Sequence, residues 1–437
     1  MRDGNAELQQ LLERADGGPV GPPDLAAIGR RSRRLRATRT ATMAAAVVVL
    51  VVGVGVGLAQ TLGGPSAPVI GEGDEHPEGR QDTVDWEVLP RPPYRSMQGH
   101  SLVSTGEQVL LFGGVISPGD FYPGGAALDP DTGAWDELPA PPIEGRHGQV
   151  SVWTGQEMLI YGGEATTLAG NDAGAGYDPS TGRWRPLASF RPLLSPQGLW
   201  TGEQLLVYGT PPSGGNDPIP AAVLGVYDPD TDRWTEAAVS PRPARFGQTL
   251  VWTGDELIVW GGTSSGDDPA ESSGSHGIAY NPTTDTWRDL PDAPLEPRLL
   301  HTAVWTSDRM IVWGGTAHLA ETDRELADGA AYDPATDTWT ELPAAPLSPR
   351  ANHLAAVADG KMIIAGGDRR TGGSTWSATT DGATFDPDTG TWEHLDTLSR
   401  DLTNAAWTTA GDDLIAIVPD TEDTSTLRLT PSHLPDQ

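Results

Sequence analysis

Five arginines occupy one register of a repeating unit. Arg146, Arg245, Arg298, Arg350 and Arg400 each stand seven residues before Trp153, Trp252, Trp305, Val357 and Trp407, which end short apolar stretches. Leu193 and Met97 break the series. Four residues before the same end points stand His100, His301 and His353, with Gln149 and Gln248 in other units. A guanidinium grips carboxylate or phosphate through two parallel N–H donors, so a set of them facing one channel would make an anion site. The alternative is structural: each Arg hydrogen-bonds loop carbonyls, or an acid of the neighbouring unit, and holds the repeats together. The three imidazoles are metal-ligand types, but they come from well-separated units, and no metal site is expected from them. Trp376 lies outside any periodic pattern, in a Gly/Ser/Thr-rich stretch, where a surface anchor role suits it.

Other chemistries find no support in the residues. The chain has no Cys, which removes disulfides, thiolate metal sites and a Cys nucleophile. Asp129-Pro-Asp-Thr-Gly133 and Asp386-Pro-Asp-Thr-Gly390 lack the length and terminal Glu of a calcium loop and read as turns. There is no Gly-rich phosphate loop, no HExxH and no GxSxG. No catalytic residue, metal or cofactor is assigned.

The elements that must position these side chains follow from a second period. Tryptophan recurs about every fifty residues, at Trp86, Trp135, Trp184, Trp234, Trp287, Trp339 and Trp392. In the unit around residues 295–341, Arg298–Trp305 leads into a first strand and Met310–Trp313 is a continuous apolar run, as expected of a strand covered on both faces. Gly314-Gly315 ends it, a place for positive φ. Gly329–Tyr332 is a third strand, Asp333–Asp337 a turn, and Trp339–Leu342 a fourth strand. Four short antiparallel strands per repeat make a propeller blade. Six complete units account for most of the chain. The last has no tryptophan strand, while Val84–Leu89 is a fourth strand without a blade. Joining the two closes a ring and removes an exposed edge. The expected fold is an all-β, seven-bladed propeller, with six blades as the alternative if the last strand pair is degenerate. The seven tryptophans are expected to pack between blades.

The combination of apolar strand, Gly-Gly, Tyr-Asp-Pro, Trp and an Arg before the next strand resembles the kelch repeat, over about residues 83 to 430. The Gly-Gly pair recurs at 113–114, 162–163, 261–262, 314–315 and 366–367; Gly209-Thr210 and Val418-Pro419 depart from it. The resemblance extends to the central domain of galactose oxidase and to bacterial sialic acid epimerases. The oxidase chemistry it would imply needs a Tyr cross-linked to Cys, which this chain lacks. The likeness implies a binding module first and a carbohydrate-active, epimerase-like enzyme as alternative. The loops after the Gly-Gly pairs are long and irregular, and long loops on a rigid scaffold are the usual carriers of function.

The N-terminal eighty residues differ in kind. Residues 1–40 hold eight Arg and five acids, a net +3; with −32 for the whole chain, the remainder carries −35. Such a body should repel nucleic acid. Residues 41–62 contain no charge and, at about 1.5 Å per residue, just cross a ~30 Å hydrocarbon core. Six Arg between residues 30 and 39 precede them, so the positive-inside rule leaves the basic head in the cytoplasm and the propeller outside. Gly57-Leu58-Ala59 also suits a signal peptidase, which would secrete the body instead. Residues 63–82 read as a Gly/Pro/acidic tether. Head, Arg cluster and anchor resemble membrane-anchored regulators of high-GC bacteria, which implies a signalling role as a further alternative. The sequence thus reads as a single-pass, membrane-anchored, extracytoplasmic propeller at 83–437, a monomer, that presents its loop face to a protein, peptide or glycan.

Overall fold

The computed structural model describes residues 87–429, except 95–97, 118, 166–170, 213–219, 244, 264–275, 320–321, 359, 373–374, 396–401, 403–404, 412 and 420–423. The expected head, anchor and tether, residues 84–86 with Trp86, and Arg400 lie outside these. Among the described residues no helix is long and apolar enough to cross a membrane.

Seven four-stranded antiparallel sheets follow one another along the chain. Blade 1 runs Ser101–Ser104, Val109–Phe112, Gly125–Leu128 and Trp135–Glu137. Blades 2 to 6 repeat this order, starting at Val150, Leu194, Phe246, Thr302 and Leu354. Blade 7 contains Ala406–Ala410, Asp413–Pro419 and Thr424–Leu429, and its outer strand is Glu87–Leu89 from the other end of the chain. Val88 pairs with Leu427, and the Arg428 guanidinium clamps the Glu87 carboxylate and donates to the Pro130 carbonyl of blade 1 at 2.6 Å. The seven-blade expectation holds. The closing strand is the physical reason, since it supplies the ladder that blade 7 would otherwise expose.

The second strands are buried along their length, as in Met158–Tyr161 and Met310–Trp313. Their side chains join apolar clusters that each span two consecutive blades. Leu89, Ile415 and Ile417 of blade 7 pack with Leu102, Val109, Leu111 and Leu128 of blade 1. The same happens between blades 1 and 2, and so on round to blades 6 and 7. Each blade therefore buries its two faces only when it has neighbours, which makes closure of the ring a condition of folding.

The periodic tryptophans are half-buried rather than fully enclosed, because each sits on an outer strand. Trp184, Trp234, Trp287, Trp339 and Trp392 pack against aromatics of their own blade and the preceding one, as Trp234 does with Tyr161 at 4.6 Å. Each described tryptophan of the period donates its indole N–H to a carbonyl near the end of the preceding blade. Trp135 reaches Pro90, Trp184 reaches Pro139 and Trp287 reaches Ala238, at 2.8–2.9 Å. They are seam pins.

Two expectations about loops need correction. Three of the long stretches after the second strands are two-stranded hairpins rather than irregular coil: Val115–Ser117 with Asp120–Phe121, Thr316–Leu319 with Thr322–Glu325, and Asp368–Gly372 with Thr375–Ala378. Trp376 accordingly sits on a strand. Nor does the Gly-Gly position always end the second strand: it continues through Gly209-Thr210 in blade 3 and through Gly261-Gly262 in blade 4.

A candidate binding face

The chain enters each first strand on the face from which the hairpins rise. Isolated bridges tie the two together: Gln98 to Val115, His147 to Glu164, Leu299 to Thr316 and Ala351 to Asp368. The Gly-Gly pairs sit at the same level. Gly314 and Gly315 have φ of 64° and 95°, a region open to glycine and strained for other residues. A Cβ on Gly314 would lie 2.7 Å from Cε1 of His353, so close packing adds a second reason for glycine.

The structure places the arginine register inside the protein. Arg146, Arg298 and Arg350 are at most 1 % exposed. Their Nε atoms donate to the carbonyls of Glu144, Glu296 and Ser348 at 3.0–3.1 Å. One Nη donates to the first Gly of the pair in the same blade: Arg146 to Gly162 at 2.8 Å, Arg298 to Gly314 and Arg350 to Gly366 at 3.1 Å. Ala173, Asp328 and Asp381 carbonyls accept from the same atoms. Arg298 and Arg350 also pair with the Asp328 and Asp381 carboxylates at 3.0 and 2.8 Å. The Arg main-chain carbonyl meanwhile accepts from the second Gly of the preceding blade, as Arg350 does from Gly315 at 2.9 Å. The side chain thus joins the loop ends of its own blade, and only the backbone reaches the neighbour. Arg245 is half-exposed and donates to the His276 carbonyl at 3.5 Å.

The imidazoles are buried too and do not converge. His301 of blade 5 lies 3.0 Å from Thr249 Oγ1 of blade 4, and His353 of blade 6 lies 2.8 Å from Thr302 Oγ1 of blade 5. Each rests edge-on against a tryptophan on the preceding blade's second strand, Trp260 or Trp313, at 4.9 and 5.0 Å. Gln149 plays the same part at the first seam, donating to Ser101 Oγ at 2.9 Å. Burial lowers His353 to about 3 and His100 to about 4, and holds His301 well below the usual range, with the Arg298 charge adding to the effect. All three are neutral at pH 7. Among the described residues no three His, Cys, Asp or Glu side chains are grouped to hold a metal.

Exposed ion pairs such as Arg324–Glu296 lie on this face, and beside them stand exposed apolar side chains. Trp376 is 41 % exposed, with the Arg370 guanidinium stacked 4.9 Å from its ring centre. Arg370 in turn faces Glu325 of the neighbouring hairpin at 3.8 Å. Phe246, at the entry of blade 4, is 43 % exposed, and Leu299 and Leu300 at the entry of blade 5 are half-exposed. Sequence reasoning missed Phe246 and the two leucines, since nothing in an apolar residue's type says that its strand will leave it outside. It also missed two relays on the opposite face. Arg185 clamps Glu157 and donates to Tyr227 at 3.1 Å, and Tyr227 donates to Asp232 at 2.7 Å. Arg288, Glu256, Tyr332 and Asp337 repeat this between blades 4 and 5. The Trp184-Arg185 and Trp287-Arg288 dipeptides were the available signal.

Comparison with known proteins agrees with the geometry. A family model described as the Attractin/LZTR1 beta-propeller matches residues 127–369. The mouse kelch-like protein 35 is 33 % identical over 175 residues, 40 % of this chain and 27 % of its own. Kelch-like protein terF of Aspergillus terreus is 33 % identical over 156 residues, a third of each chain. The bovine Rab9 effector protein with kelch motifs is 31 % identical over 97 residues, 22 % of this chain and 26 % of its own. The chain thus spans about a quarter to a third of the length of these relatives. The solved structure of YjhT superposes with a TM-score of 0.51 at 17 % identity, covering 71 % of this chain and all of that one, a likeness of fold.

Proposed function

The chain belongs to the Attractin/LZTR1 β-propeller family, and from that membership we propose that it is a binding module whose loop face holds a protein or peptide partner. The observation that carries this reading is the division of labour among its side chains. The buried Arg positions hold the loop ends of their blades and the buried His positions bridge seams, while the exposed apolar residues of the loop face are an aromatic platform and aliphatic side chains. Such groups contribute contact area rather than acid–base chemistry. A sugar would instead need several hydrogen-bonding side chains around the aromatic ring. The relatives named for kelch motifs, one of them an effector protein by its printed name, support the same class.

The proposal includes export. The uncharged run at 41–62 behind an arginine cluster supports a single-pass anchor with the propeller outside the cytoplasm. Protease added to intact cells is then expected to remove the propeller and spare the basic head. Full protection of the propeller would refute export, and its release into the medium without protease would indicate cleavage after Ala59. For the binding role, the purified full chain is applied to peptide and glycan arrays. Sequence-selective peptide binding is the expected result; glycan binding alone, or turnover of an applied sugar, would overturn the reading.

A further inference from the structure

Resting on that reading, we propose that the loop face takes a basic peptide segment with apolar side chains, gripped across blades 4 to 6 by Phe246, Leu300 and Trp376. Three independent observations converge on this strip.

The first is backbone strain. The residue before each His or Gln of the inner register is left-handed: Gly99, Gly148 and Gly247 have φ of 71°, 61° and 69°. Leu300 and Asn352 adopt the same conformation, at 57° and 52°. Glycine is the unstrained choice there, and an L-residue with a branched side chain is disfavoured. Asn352 has a local reason to be present, because its amide donates to both Asp368 carboxylate oxygens at 3.1–3.2 Å. Leu300 is half-exposed, and its side chain makes no polar bond that could offset the strain. Strain kept on a partly exposed apolar residue points to a surface contact.

The second is the organised platform. Glu325 stands beside Arg370, and Arg370 covers one face of the Trp376 indole. At 41 % exposure the ring still offers surface to solvent. The two hairpins that carry these residues are in mutual contact, so the platform is built from blades 5 and 6 together. An aromatic held this way loses little conformational freedom on binding, which is what an anchor requires.

The third is charge. Excluding residues 1–40, the chain carries −35, the difference between −32 overall and +3 for that segment. A partner approaching through this field gains from positive charge. The open side of an indole also favours a cation, since ammonium and guanidinium groups are attracted to an aromatic face. The exposed apolar residues Phe246, Leu299 and Leu300 at the entries of blades 4 and 5 select side chains of the same kind.

The test is an immobilised peptide library, graded in net charge and in aromatic and aliphatic content, probed with the purified full chain and its variants. The expected result is preference for basic peptides with at least one large apolar residue, weakened tenfold or more by Trp376→Ala and by Phe246→Ala. Binding is expected to weaken as salt is raised. Thermal unfolding of each variant is read in parallel. Leu300→Gly provides the sharper arm: it should leave the unfolding midpoint equal or higher while reducing binding, because glycine suits the backbone and lacks the contact. Selection of acidic peptides, or binding that survives all three substitutions, would overturn this inference and leave peptide binding by the propeller standing. Binding of no peptide at all would overturn both.

Discussion

Replacing Arg350 by alanine is expected to cost the propeller about 3–4 kcal/mol, the lower part of the roughly 3–5 kcal/mol for breaking a buried charged pair by removing one partner. The side chain is fully buried and makes four hydrogen bonds, to the Ser348 carbonyl and hydroxyl and to the Gly366 and Asp381 carbonyls. It also balances the Asp381 carboxylate at 2.8 Å. No apolar group can replace this set, because the acceptors belong to backbone that is fixed by the Gly-Gly bend. Asp381 is 31 % exposed, so water reaches it and moderates the loss. Arg298→Ala should cost less, since its partner Asp328 is 54 % exposed. Arg350→Lys keeps the charge but not the planar fork, and should recover only part of the stability. Arg369→Ala, on the surface of the same blade's hairpin, should stay within about 0.5 kcal/mol. The measurement is equilibrium denaturation, with the shift in midpoint read at unchanged slope. A loss below about 1 kcal/mol for Arg350→Ala would mean that the guanidinium does not hold the blade, and would return the arginine register to the list of ligand groups.

Acid should destabilise the ring well above the range in which carboxylates titrate. His301, His353 and His100 are buried, and burial lowers each below its ordinary value, His353 to about 3 and His100 to about 4. The unfolded chain takes up a proton on each near pH 6.5, while the folded chain does not. The folded state is therefore at full strength above pH 6.5 and weakens as pH falls toward the folded values. Each imidazole contributes a slope of about 1.4 kcal/mol per pH unit in that window, or about 2 kcal/mol between pH 6.5 and 5. Asp381 is shifted in the same direction but from a lower starting value: burial raises it and Arg350 outweighs that, so its contribution is lost only as pH falls below the ordinary carboxylate value. The two are separable. His301→Gln with His353→Gln substitutes the residue type found at the same register in Gln149 and Gln248, and is expected to cut the pH dependence between 6.5 and 5 to less than half. Unfolding free energies measured at half-unit steps of pH decide it. An unchanged slope in the double variant would show that these imidazoles are not the source.

Much of this architecture is legible in the residues. The Gly-Gly pairs, the Tyr-Asp-Pro turns and the tryptophan period define the four-stranded unit, because each reports a local constraint. Positive φ demands glycine, a tight turn favours Asp-Pro, and a strand covered on both faces must be continuously apolar. The spare strand in front of Gln98 and the missing one behind Leu429 are likewise a matter of counting. That is why seven blades could be read before any tertiary contact was known, with the closing strand Glu87–Leu89 in its place.

The site was less legible, and the arginines show why. Their register was plain, but a regular spacing is equally consistent with a ring of ligand groups and a ring of staples. The choice depends on whether the guanidinium points into the channel or back at carbonyls sixteen residues on, as Arg146 does toward Gly162. Trp376 could be singled out as aperiodic, but its strand, its Arg370 cover and its Glu325 support come from separate parts of the chain. Phe246 and Leu300 carried no signal at all, since burial belongs to neighbours rather than to residue type. The sequence by itself determined the repeat and the residues at each register, because these follow from backbone geometry within about fifty residues; it favoured seven blades over six, and the pairing of Glu87–Leu89 with the last strand decided the number. Only the tertiary structure decided which polar side chains are engaged inside and which apolar ones are left outside. That is a property of seams between blades, where each surface is covered by another repeat.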